Sequence, residues 1–168
     1  LALDVSGSMG GGSVAGSCLT PREASAAMAL VTAATEEEYH IMGFSNRFIP
    51  LNISPRMRLD DVVKRINNLP FEATDCALPM IWAREHEVNV SAFITYTDSE
   101  TWAGNIHPAQ ALRQYRSEFV GDAKSVVVGM TSNGFTLADP NDCGMLDVVG
   151  FDTSVPAVLA DFVRNGDS

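Results

Sequence analysis

The chain opens Leu1-Ala2-Leu3-Asp4-Val5-Ser6-Gly7-Ser8-Met9, and this stretch constrains the fold more than any other. A continuous apolar run is the signature of a strand covered on both faces, the kind found in the middle of a parallel sheet. Leu1 to Val5 therefore reads as a central strand with Asp4 at its carboxyl end. Open parallel sheets bind ligands outside the carboxyl ends of their strands, where the chain order reverses and leaves a crevice. One carboxylate followed by two alternate serine hydroxyls puts oxygen donors in that place.

Later segments repeat the strand-then-helix alternation. Thr20 as N-cap, Pro21 at the first helical position and Glu23 three residues after the cap predict a capping box, and Ala24, Ala27, Met28, Val31 and Ala34 recur at helical spacing. Tyr39–Phe44 and Phe48–Ile53, separated by Ser45-Asn46-Arg47, read as a hairpin, so one edge strand is expected to be antiparallel. Leu59, Val62, Val63 and Ile66 mark a second helix, with Asp60 and Asp61 at its dipole-favoured start. A third begins just after Thr74-Asp75 and holds Pro79 in its first turn, where proline is tolerated.

Val90–Thr97 is a second central-type strand, and it too ends in a carboxylate, Asp98. His107-Pro108 opens a helix that turns Ala111, Leu112, Tyr115 and Phe119 inward; Ser125–Gly129 and Met145–Val149 add strands around a loop over Thr131–Gly144. Val155, Val158, Leu159 and Phe162 make a closing helix, capped by Thr153 and stopped at Gly166. The pattern predicts an α/β fold: a doubly wound, Rossmann-like, mostly parallel sheet of about six strands, with one antiparallel edge strand and helices on both faces. At 168 residues one domain accounts for residues 1–168, and an opening inside a strand without methionine predicts a domain cut from a longer protein.

Composition narrows the function. The apolar runs fall well short of the ~18 residues of a membrane span, so no membrane partner is expected. With 21 acidic against 11 basic residues the net charge is -10, which disfavours broad contact with a phosphate backbone. Cys18, Cys76 and Cys143 are odd in number and widely spaced, the pattern of a reducing compartment rather than a disulfide framework or a zinc site. His40, His86 and His107 are scattered with no acid or nucleophile at useful spacing, and His107 reads as a helix-entry residue. Trp82 and Trp102 read as core or domain-contact residues.

Three oxygen-bearing segments fall at equivalent places: Asp4, Ser6 and Ser8 after the first strand, Thr74 at a helix start, and Asp98 after the fourth strand. In the doubly wound order the first and fourth strands are neighbours, so Asp4 and Asp98 are expected together. Carboxylates and hydroxyls without imidazole or thiolate suit a hard divalent cation, Mg²⁺ or Mn²⁺. Two carboxylates are too few to surround it, which leaves a coordination position for an acidic or phosphate-bearing ligand from a partner.

This Asp-x-Ser-x-Ser pattern, with Thr74 and Asp98 in order behind it, resembles the metal-ion-dependent adhesion site of von Willebrand factor A domains. Thr74-Asp75-Cys76, Leu78–Ala83, Gly129–Thr136 with Ala138-Asp139-Pro140, and Gly144–Asp147 more narrowly resemble the C-terminal A domain of the Ro ribonucleoprotein autoantigen family, over essentially the whole chain. Glu72-Ala73 stands where A domains often carry glycines, adding a negative charge beside the site.

The Ro resemblance implies a protein that binds Y RNAs and misfolded small noncoding RNAs through a ring of helical repeats, closed by the A domain. It implies a cytoplasmic location, with the nucleus as a second one. The expected function is a non-enzymatic, cation-dependent recognition and closing module. A structural lid with a vestigial metal site is the alternative. An Asp-nucleophile phosphotransferase ranks lowest, because Ser6 stands where its second acid belongs.

Overall fold

A computed structural model describes residues 1–4, 9, 19–44, 48–69, 75–97, 105–130, 138–150 and 154–165. Among these residues six strands, β1 (Ala2–Asp4), β2 (Met42–Phe44), β3 (Phe48–Pro50), β4 (Ala92–Thr97), β5 (Lys124–Gly129) and β6 (Met145–Val149), form one sheet in the order β3-β2-β1-β4-β5-β6. Every pairing is parallel except β2 with the edge strand β3. This is the doubly wound arrangement, in which the chain fills one half of the sheet from β1 outward and the other half from β4 outward. The β1–β4 junction is therefore where the order reverses.

Among the described residues five helices cover the sheet: α1 (Pro21–Thr35), α2 (Leu59–Asn67), α3 (Leu78–Glu85), α4 (Pro108–Glu118) and α5 (Val155–Asn165). Met28, Ala29, Val62, Ile66 and Leu159 pack with Leu3, Tyr96, Val126 and Val128 in one core, placing α1, α2 and α5 on one face. Met80, Ala83, Leu112 and Tyr115 pack with Phe93 and Met145 in the other, under α3 and α4. β5 is buried along its whole length, as a strand sandwiched between two helical layers must be.

Local signals operate where they are written. Thr20 accepts from the Glu23 amide while the Glu23 side chain accepts from the Thr20 amide, closing the capping box. Asp60 and Asp61 lie in the first turn of α2, and Pro79 in the first turn of α3. His107 does enter α4 as its N-cap, Nδ1 accepting from the Ala109 amide at 3.1 Å.

Two expected inward stripes are corrected. Val31 of α1 is 46% and Val158 of α5 is 45% exposed, and Ala34 is exposed as well. The buried face of α1 instead runs through Ala24, Ser25, Met28, Ala29 and Ala33. In an alanine-rich helix many rotations present an apolar stripe, so tertiary packing chooses among them. The loop at Gly10–Ser13, the turn Ser45–Arg47, the cap Thr153 and the stop Gly166 lie outside the described residues.

Candidate metal centre

Asp4 closes β1 and is fully buried. Burying a carboxylate is costly unless hydrogen bonds or opposite charge meet it. One donor comes from the neighbouring strand: Thr97 Oγ1 donates to Asp4 Oδ2 at 2.5 Å. Thr97 ends β4, itself fully buried, and β1 and β4 run parallel with Leu3 opposite Tyr96. The pair thus sits at the carboxyl ends of two adjacent parallel strands, at the point where the sheet order reverses. Asp98 is the next residue after Thr97 in the chain.

Ser6, Ser8, Thr74 and Asp98 lie outside the described residues, as do Val5 and the Glu72-Ala73 pair. Around that gap the frame is defined. Met9, one residue beyond Ser8, is completely buried in the core shared with Leu3 and Met28. Asp75, next to Thr74, accepts from the Ala77 amide at 3.0 Å and so turns the chain into α3. Burial pushes the Asp75 carboxyl up, the Ala77 hydrogen bond working against it. Cys76 is buried, and its thiol is pushed up by that burial first and by the charges of Asp4 and Asp75 second.

The field at this corner of the sheet is therefore negative. Hard oxygen donors in a negative, buried setting suit a small divalent cation far better than a soft metal, and the Cys76 thiol beside them is held protonated. Among the described residues, however, no three acidic, histidine or cysteine side chains converge on one point.

Thr97 was not among the residues expected from the motif. Its signal is present in the sequence as a hydroxyl residue at the end of a central strand, one position before Asp98. Other candidates resolve as structural. His86 stacks on Trp82 at 4.6 Å between ring centroids, with Phe48 at 5.6 Å and His40 at 6.0 Å, so the half-buried Trp82 is a contact residue. Trp102 lies outside the described residues. The segment after β5 returns to α4 through two ion pairs, Arg113 with Asp139 and Arg116 with Asp142.

A doubly wound sheet with one antiparallel edge, carrying an Asp-x-Ser-x-Ser sequence at the exit of its first strand, defines the class of von Willebrand factor A domains. The mussel byssus proximal thread matrix protein 1, whose structure has a zinc-occupied MIDAS motif, shares the fold at a TM-score of 0.59 and 15% identity, over 96% of this chain and 43% of that one. Residues 1–163 match the family model of the Ro60 vWA domain, and the chain belongs to that family. The RNA-binding protein RO60 of Deinococcus radiodurans is 47% identical over 165 residues, 98% of this chain and 31% of that protein. The crystal structure of the Deinococcus radiodurans RO (RSR) protein superposes with a TM-score of 0.91 at 46% identity, over 98% of this chain and 34% of that one. The chain spans about a third of the length of these relatives.

Proposed function

We propose that this chain is the cation-dependent recognition and closing module at the C-terminal end of a Ro-type RNA-binding protein. Asp4, Ser6, Ser8, Thr74 and Asp98 hold a divalent cation, Mg²⁺ or Mn²⁺, which receives an acidic or phosphate oxygen from a partner. The observation that carries the reading is the buried Asp4 carboxylate at the β1–β4 reversal, met by the Thr97 hydroxyl. The module is non-enzymatic: a single strand-end carboxylate with serine two residues on offers a cation seat, not a nucleophile with its acid partner.

RNA binding resides mainly elsewhere in the longer protein. A net charge of -10 repels the phosphate backbone, so the helical-repeat portion carries the contacts to Y RNAs and misfolded small noncoding RNAs. The expected setting is the cytoplasm and also the nucleus.

Titration calorimetry of Mg²⁺ and Mn²⁺ into the longer protein, beside Asp4→Asn and Ser8→Ala variants shown by circular dichroism to be folded, tests the reading. Binding heat in the native protein that disappears in both variants supports it. No heat at millimolar metal in the native protein overturns it in favour of a structural lid.

A further inference from the structure

Asp4 and Thr97 are mounted on the two strands between which the sheet changes direction, and each strand is also held from its far side. Asp4 stands opposite Phe44 of β2 in a parallel pairing. Thr97 stands opposite Gly129 of β5, and its carbonyl accepts from the buried Met130 at 2.9 Å. One step back along the chain, Leu3 faces Tyr96 across β1 and β4. Neither backbone can shift without disturbing a ladder on its flank, so the 2.5 Å bond from Thr97 Oγ1 to Asp4 Oδ2 joins two fixed points.

The mount is stiff in its side chain as well. Two heavy atoms on Cβ restrict the χ1 of a threonine, and both Asp4 and Thr97 are fully buried. The separation is that of a hydroxyl donating to an ionised carboxylate, among the stronger hydrogen bonds a protein makes. What such a bond does to a cation depends on the ion's size. Magnesium demands near-ideal octahedral oxygens at about 2.0–2.1 Å, whereas calcium accepts a looser shell at about 2.3–2.6 Å and takes carboxylates through one oxygen or through both. A carboxylate held through Oδ2 resists both turning its two oxygens onto one ion and backing away to the longer distance. Its fixed orientation therefore favours the smaller ion.

We propose that Thr97 is the positioning residue that sets the ion preference of this seat, holding Asp4 for a small octahedral cation, Mg²⁺ or Mn²⁺, against Ca²⁺. The inference rests on the reading of Asp4 as a cation ligand and adds to it the residue that decides which cation. Thr97 acts through Asp4 rather than on the ion. Hydrogen-bond partners that orient metal ligands typically contribute about 10–100-fold in affinity. Without the hydroxyl the carboxylate is free to turn, so the small ion loses a prearranged ligand, while the larger one, tolerant of ligand position, loses less.

Calorimetric titration of MgCl₂ and of CaCl₂ into the longer protein, native and with Thr97→Val or Thr97→Ser, each folded by circular dichroism, tests this. The native protein is expected to bind Mg²⁺ more tightly than Ca²⁺. Thr97→Val should weaken Mg²⁺ by about 10–100-fold and Ca²⁺ by a smaller factor, narrowing the ratio, and Thr97→Ser should restore it. Thr97→Ala takes the place of the valine variant if that protein does not fold. A threonine with a merely structural role would weaken both ions by the same factor or neither, lowering only the denaturation midpoint, and either result overturns the proposal. Equal affinity of the native protein for the two ions also overturns it, while leaving the cation seat standing. Binding of neither ion to the native protein removes the seat itself, and the proposal with it.

Discussion

The hydroxyl of Thr97 donates to the carboxylate of Asp4 at 2.5 Å across the junction where the sheet changes direction. A strand-end carboxylate that points into a crevice must either be hydrated or be held, and here a residue 93 positions away in sequence holds it. The bond fixes the orientation of one Asp4 oxygen. A cation seat needs this kind of fixed anionic anchor, because an octahedral ion tolerates little error in ligand position.

Thr97→Val removes that donor while keeping the side chain's shape. A buried charged acceptor deprived of a hydrogen bond costs about 1–3 kcal/mol, so urea denaturation of the variant should show a lower midpoint with an unchanged slope. Thr97→Ser, which retains the hydroxyl, should recover most of the loss. Equal midpoints for Val and native protein would mean that Asp4 is satisfied without Thr97.

Tyr115 makes a second tie of this sort, from helix to strand. Its hydroxyl accepts from the Val90 amide at 2.8 Å and donates to the Val88 carbonyl at 2.8 Å, anchoring α4 to the segment that leads into β4. The ring is buried, edge-on to Phe93 at 4.9 Å and stacked on Phe119 at 5.4 Å. Tyr115→Phe keeps the ring contacts and strands two backbone groups, so a loss of about 1–3 kcal/mol is expected. In hydrogen exchange the amide of Val90 should lose protection before those of β5. Uniform loss across the sheet would argue against a local tie.

These two tyrosine and threonine bonds show what sequence reading reaches and where it stops. Strand order was legible because the apolar runs at Leu1–Val5 and Val90–Thr97 are long enough to demand cover on both faces, and a hairpin signal fixes the one antiparallel edge. The placement of Asp4 was legible for the same reason: it ends the first of those runs, and topology places that end beside the other. Thr97 was not, because its role depends on the β1–β4 register, which no local pattern encodes. The rotation of α1 was missed for another reason. Alanine at most positions leaves the hydrophobic stripe degenerate, so Val31 faces solvent and Ala29 and Ala33 face the core.

Acid stability should depend on Asp142. Burial works against its charge, but hydrogen bonds from Arg116 and from the Gly144 amide, with the charges of Arg116 and Arg113, outweigh it and hold the carboxyl below its ordinary value. Arg116 is well placed to do so, since its Nε also donates to the Ala123 carbonyl at 2.7 Å. A carboxyl with a depressed folded pKa binds protons more readily when unfolded, so its contribution is complete above the unfolded value of about 3.9 and fades as pH falls below it. Thermal melts from pH 7 to pH 3 should therefore show a steeper acid decline for the native protein than for Asp142→Asn. The variant should melt lower at neutral pH. Parallel curves for the two proteins would exclude a role for this pair.

The cysteines provide a test that needs no mutation. Cys143 is exposed, whereas Cys76 is buried beside Asp4 and Asp75, whose charges add to burial in keeping its thiol protonated. Only the thiolate is nucleophilic, so alkylation by iodoacetamide at pH 8, followed by peptide mass spectrometry, should modify Cys143 quickly and leave Cys76 untouched. Partial denaturation should expose Cys76 to reagent together with the global transition, because its neighbours Ala2, Phe44 and Val127 belong to three strands of the sheet, β1, β2 and β5. Labelling of Cys76 well before that transition would show that the corner around Asp4 opens on its own, and a corner that opens cannot hold a cation's ligands in place.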